Sequence, residues 1–137
     1  MPNRIAVAAC GAVAVAAIVG SLAVRADEFT KEDQERWQKE YLSVVQQGRE
    51  LFTSPKLGTN GVACAQCHPN GANTHPETYP KFQTQLGRVI ALREMINWCL
   101  QQPLEGQPLK LDDPKMVALE AYISHERRGV AMEPGKH

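Results

Sequence analysis

No run of basic residues occurs anywhere in the 137-residue chain, and fifteen Lys and Arg are balanced by fifteen Asp and Glu. That excludes the strongly basic surface by which proteins grip a nucleic-acid backbone. No segment alternates apolar and polar residues as a half-buried strand would, and no repeat or low-complexity tract interrupts the chain. Cysteine is sparse: Cys64 and Cys67 form the one closely spaced pair, without the second pair that a closed zinc site commonly uses. What remains is an all-α reading, with long irregular connections that need something to order around.

The start of the chain differs from the rest. Arg4 precedes an apolar run from Ile5 to Val24, and Val24-Arg25-Ala26 follows before the first acidic residue. A basic start, an apolar middle and small residues at a cut site describe a secretory leader, expected over residues 1–26. The alternative is a retained membrane anchor, since about twenty apolar residues suffice to span a bilayer as a helix. The Ala- and Gly-rich composition of the run favours cleavage. Residues 27–137 then form one small domain. All fifteen acidic residues but only thirteen of the basic ones fall within it, for a net charge of −2. A core of that size is marginal, and an internal ligand would stabilise it.

Three helices are expected. In the first, Lys31 to Phe52, an apolar stripe of Trp37, Tyr41, Val44, Val45, Gly48, Leu51 and Phe52 recurs at three- and four-residue intervals behind a Thr30/Asp33 cap. A second spans Val89 to Gln101. A third opens at Asp113-Pro114, where proline is tolerated because its missing N–H would have no partner, and closes near Arg127-Arg128-Gly129.

Between the first two helices stands "GVACAQCHPNGANTHP", Gly61 to Pro76. Cys-x-x-Cys-His is the attachment signature of c-type haem. The thiols of Cys64 and Cys67 form thioethers to the porphyrin vinyl groups, and His68 is carried under the ring to ligate the iron. Zinc held by Cys64, Cys67, Cys99 and His75 is a competing reading, but it would leave His68 idle. A thioredoxin-type dithiol would need a βαβ context that is missing. The expected cofactor is one covalently attached haem c.

A second axial ligand has several candidates: Met95, Met116, Met132, His75, His125 and Cys99. Met116 falls on the apolar face of the last helix, where packing is its natural role. Met132 is close to the C-terminus. His75 follows the proximal histidine too closely to reach the opposite face. With the leader and its Cys10 removed and Cys64 and Cys67 taken by the haem, Cys99 is left without a partner thiol; it follows a loop long enough to cross a haem, and would bind ferric iron as an anionic donor. The competing role for Cys99 is that of a small buried hydrophobe.

"GRELF" before the motif, "CHPNG" at it and the late "MVALEAY" helix resemble class I cytochromes c, in which the first and last helices cross near a glycine and an aromatic residue. Gly48 and Tyr122 are the positions that correspond. More narrowly, the segment from Tyr79 to Met132 resembles the haem domains of thiosulfate dehydrogenases and of SoxA-type subunits, with Ile96-Asn97-Trp98-Cys99 standing where those families have "RIN-x-C". The resemblance covers Gly48 to Met132 and implies that Cys99 is the distal haem ligand. It departs at Met95, which replaces the family's arginine, and at Gln102-Pro103 and Glu105-Gly106. These changes remove positive charge beside the sulfur. A single haem motif is present where thiosulfate dehydrogenases carry two.

The expected function is a periplasmic monohaem cytochrome with His68/Cys99 ligation. It would act in low-potential electron transfer or as a redox or gas-binding subunit beside a partner protein, such as a second cytochrome in a heterodimer. An alternative is a thiosulfate- or sulfur-compound-oxidising enzyme subunit using Cys99, and a third is a His/Met electron shuttle. Membrane contact is expected only if the leader is retained.

Overall fold

The computed structural model describes residues 29–131, so the predicted leader and Met132 lie outside the described residues. The chain runs through helix α1 (Lys31–Thr53), the short helix α2 (Cys64–Cys67), strands β1 (Lys81–Gln83) and β2 (Arg88–Ile90), helix α3 (Leu92–Gln101) and helix α4 (Pro114–Glu126). Single 3₁₀ turns at Pro55–Leu57, Pro69–Gly71 and Pro76–Thr78 shape the loops.

Both long helices start on the predicted caps. Thr30 Oγ1 accepts from the Asp33 amide at 3.1 Å, and the Asp33 carboxylate accepts from the Thr30 amide at 3.3 Å, closing a reciprocal capping box. At α4 the Asp113 carboxylate accepts from Lys115 N at 2.8 Å, with Pro114 in the first turn. The C-terminal half of α1 packs on α4, burying Val45, Gly48 and Phe52 against Ala118, Leu119 and Tyr122. The Phe52 and Tyr122 rings meet at 5.1 Å between centroids.

The crossing is as close as it is because residue 48 has no side chain. A Cβ there would lie 2.7 Å from Tyr122 Cβ and nearer still to the Ala118 carbonyl. Neither neighbour can swing aside, since one is backbone and the other is fully buried. Gly48→Ala should therefore cost on the order of 3 kcal/mol, read as a lower urea midpoint at unchanged m-value. An unchanged midpoint would mean the crossing is looser than its geometry.

The all-α expectation holds apart from one element. β1 and β2 form an antiparallel hairpin, pairing Lys81 with Ile90, Phe82 with Val89 and Gln83 with Arg88. Three-residue strands are too short to display alternation, which is why the pattern was invisible. The hairpin takes Val89 and Ile90 from the predicted second helix. That helix begins instead at Leu92, where the Glu94 carboxylate accepts from the Ala91 amide at 2.8 Å. Arg93 then ties α3 to α4 through Glu120 Oε2 at 2.7 Å and to the preceding loop through Leu111 O at 2.8 Å. Among the described residues, no helix is long and apolar enough to cross a membrane.

Candidate functional site

α2 places its cysteines one turn apart, so both sulfurs can serve one edge of a planar group; residues three apart on a helix have Cβ atoms about 5–6 Å apart. The loop before it is held from outside. Asn60 Nδ2 donates to Pro103 O at 2.8 Å, Thr59 N donates to Leu104 O at 3.1 Å, and Asn60 Oδ1 accepts from Val62 N at 3.1 Å. Gln66 Oε1 accepts from the Ala63 amide at 3.0 Å and closes the start of the turn. Cys64 is half-buried and Cys67 exposed, and both thiols are unpaired.

His68 follows directly. Its Nδ1 lies 2.9 Å from Ala72 O. A carbonyl oxygen can only accept, so Nδ1 carries the proton and Nε2 presents its lone pair. That is the arrangement by which proteins fix the tautomer of a metal-binding imidazole. The loop from His68 back to Ala72 is tight enough to need left-handed residues at Asn70 and Gly71. At Gly71 a Cβ would also come 3.3 Å from Glu126 Cβ on α4.

Cys64 and His68 form one wall of a cavity of about 230 Å³. Met95 and Cys99, one turn apart on α3, form another. Tyr79, Lys81 and Gln83 from the hairpin region line a third side. The floor is apolar: Phe52, Leu92, Leu119 and Ile123. Residues more than thirty positions apart in sequence thus share one space.

The electrostatics oppose a bare thiolate there. Burial, reinforced by the charges of Cys64 and Cys67, pushes the Cys99 thiol up to about 11. Burial also raises Cys64. The Tyr79 hydroxyl is raised by burial, against the hydrogen bond from Gln83, and Cys99 adds to the rise. A cation placed between these walls would reverse the balance for Cys99.

The remaining candidate ligands are elsewhere. Met116 is fully buried in the core and does not line the cavity. His75 turns to Glu77, with Nδ1 3.1 Å from Oε1, and Arg127 approaches the same oxygen at 3.9 Å. This ties the loop after His68 to the end of α4, giving Arg127 a role beyond that of an exposed helix-end cation. His125 lies beside Tyr41, with ring centroids 5.8 Å apart. Among the described residues, no three His, Cys, Asp or Glu side chains converge tightly enough to hold a bare ion. Cys64, Cys67, Cys99 and His75 therefore do not form the zinc cage considered from sequence.

Three further contributors were not legible in the sequence. Ala72 acts through its carbonyl, which any residue could supply. Asn97 clamps the backbone of Leu109, donating from Nδ2 to the carbonyl and accepting from the amide through Oδ1, both at 2.8 Å. This holds the Gln102–Asp113 loop against the helix that carries Cys99. The only available signal was an amide on a helix face otherwise apolar. Lys81 joins the site through a hairpin that the sequence did not show.

The SoxA/TsdA cytochrome c domain model matches residues 47–132. A thiosulfate dehydrogenase of Allochromatium vinosum is 33% identical over 88 residues, covering 56% of this chain and 33% of the relative. The SoxA subunit of an L-cysteine S-thiosulfotransferase from Rhodovulum sulfidophilum is 28% identical over 109 residues, covering 77% of this chain and 38% of the relative. The crystal structure of SoxXA from P. pantotrophus superposes with a TM-score of 0.63 at 21% identity, over 74% of this chain and 40% of that one, and so shares the fold. The chain spans about a third of the length of the curated relatives it matches. The chain belongs to the SoxA/TsdA cytochrome c domain family, whose cofactor is a covalently bound haem c.

Proposed function

We propose that this domain is a periplasmic one-haem redox subunit of sulfur-compound oxidation. In this reading Cys64 and Cys67 bind the haem covalently, His68 and Cys99 take the two axial positions, and residues 1–26 are an export leader. The observation that carries it is the shared cavity: His68, its Nδ1 held by Ala72 O, and Cys99 line one apolar-floored space together with Cys64. Haem bound there supplies a one-electron ferric/ferrous couple.

The chain's own residues do the rest. Ala72 O holds the proton on His68 Nδ1, keeping Nε2 free and more basic. Cys99 would give up its proton on holding the iron, where the metal charge would outweigh the burial that otherwise keeps it a thiol. As an anionic donor it would lower the reduction potential of the bound group. Phe52, Leu92 and Leu119 form an apolar floor that would exclude water from a group held there. Electrons pass to a second cytochrome subunit, a partner supported by the SoxA subunits among the relatives.

Turnover of thiosulfate with ferricyanide as acceptor tests the reading. The holoprotein should reduce the acceptor in a thiosulfate-dependent way that Cys99→Ala abolishes. Thiosulfate-independent rates, or equal rates in the two proteins, would overturn it in favour of a plain electron carrier. That reading has its own support in Met95, which stands where the relatives' pattern has an arginine.

A further inference from the structure

Cys99 stands in the last turn of α3, the part of a helix that frays first, because its closing carbonyls have no partner within the helix. Here three of them are taken. Trp98 O accepts from Gln102 N at 2.9 Å, Cys99 O from Leu104 N at 3.3 Å and Leu100 O from Gly106 N at 2.8 Å. The loop that makes these bonds is gripped in turn by the segment leading into the thiol pair. Three successive carbonyls, of Pro103, Leu104 and Glu105, accept from two successive residues: Asn60 Nδ2 at 2.8 Å, Thr59 N at 3.1 Å and Thr59 Oγ1 at 2.9 Å. The two segments meet where neither has a side chain. A Cβ at Gly58 would overlap the Leu104 carbonyl, and one at Gly106 the Leu57 carbonyl. Glu105 is left-handed, with φ at +53°, a conformation that a non-glycine residue keeps only where its surroundings impose it. Asn60 lies four residues before Cys64, and Pro103 four after Cys99. A short bonded route therefore joins the attachment motif to Cys99 through this clasp.

We propose that Thr59 and Asn60 are positioning residues for Cys99: the clasp they close on Pro103, Leu104 and Glu105 holds the last turn of α3, and so keeps the Cys99 sulfur in its axial position in the reduced protein. The proposal rests on the His68/Cys99 ligation reading above and deepens it. Reduction removes one positive charge from the metal and with it part of the attraction for an anionic donor. The place of the sulfur then depends on the backbone that carries it. Thr59 and Asn60 are exposed and line no part of the cavity, so they act on the sulfur through that backbone.

The test is titration of the dithionite-reduced holoprotein with carbon monoxide, read by absorption. Carbon monoxide needs the position that Cys99 holds, so its apparent affinity follows the fraction of molecules in which the sulfur has left. Asn60→Asp keeps the oxygen that accepts from Val62 N and removes the donor to Pro103 O. Thr59→Val removes the hydroxyl donor to Glu105 O and keeps the amide bond to Leu104 O. One hydrogen bond is worth a factor of about five in an opening equilibrium, so each variant should bind carbon monoxide about fivefold tighter than the wild type, and the double variant roughly twentyfold. The near-infrared thiolate band of the oxidised protein should persist in all three, which separates a loosened clasp from misfolding. Gly48→Ala, which opens the α1/α4 crossing and leaves the clasp alone, should lower the urea midpoint and keep the wild-type affinity for carbon monoxide. Equal affinity in the wild type and the double variant would overturn the proposal. So would an equal rise in Gly48→Ala, which would make the effect one of general stability. Absence of the thiolate band from the oxidised wild type would remove the ligation reading and the role of the clasp with it. A band present in the wild type, with carbon monoxide affinity indifferent to Thr59 and Asn60, would remove the clasp alone.

Discussion

Replacing Cys64 and Cys67 together by alanine should yield a colourless chain that is mostly unfolded at neutral pH. The cavity of about 230 Å³ is bordered by the centre of the core: Phe52, Leu119 and Ile123 face it on one side and the α1/α4 crossing on the other. Empty apolar space in a closed core costs about 24 cal/mol per Å³, so roughly 5 kcal/mol is an upper bound for this cavity, which opens to solvent and carries Asn73, Thr74 and Gln85 in its lining. Small domains are held by only about 5–15 kcal/mol in total. The variant would therefore lose a large part of its margin. Each single alanine variant should keep one thioether and an intermediate stability. Native-state mass spectrometry reads the attached haem directly, and far-ultraviolet circular dichroism reads the helices. A double variant that stays helical and melts like the wild type would show that the walls close on themselves without a cofactor.

Cys99→Ala should convert the ferric iron to a high-spin or water-ligated form, abolish the near-infrared sulfur-to-iron charge-transfer band, and raise the reduction potential. Axial ligands command a range of roughly 0.8 V, and exchanging a thiolate for a neutral donor should move the potential upward by on the order of a few hundred millivolts. The control is on the same helix. Met95 lines the cavity one turn before Cys99 and carries the other sulfur that α3 brings to it. Met95→Leu should leave the spectrum intact. If Met95→Leu changes the spin state while Cys99→Ala does not, the ligand is the thioether and Cys99 is packing. The high proton affinity of Cys99 sharpens the expectation. A thiol pushed up to about 11 stays protonated at neutral pH, so a thiolate signature there requires a neighbouring positive charge.

The helix termini and the motif were legible because their signals are local. The Thr30/Asp33 box, the Asp113-Pro114 start and the Cys64-x-x-Cys67-His68 run each lie within five residues, so their geometry follows from neighbours along the chain. Gly48 and Tyr122 were legible for another reason: the resemblance to class I cytochromes c implies a glycine and an aromatic residue where the first and last helices cross, and the structure adds how close that crossing is. The hairpin was not legible, because strands of three residues carry no readable period and are held by each other and by the cavity they border.

By itself, the sequence determined that the chain is helical, that it carries the thiol pair and imidazole of a c-type haem domain, and that Cys99 is the one other cysteine of residues 27–137. It could not decide which titratable groups share a space. Only the tertiary structure turned His75 toward Glu77 and Arg127, put Met116 in the core, and set Lys81 and Tyr79 in the same cavity as Cys99. The reason is that a side chain's chemistry here depends on contacts closed over tens of residues. Those contacts exist only once the loops have been pinned to the helices by bonds such as Asn60 to Pro103 and Asn97 to Leu109.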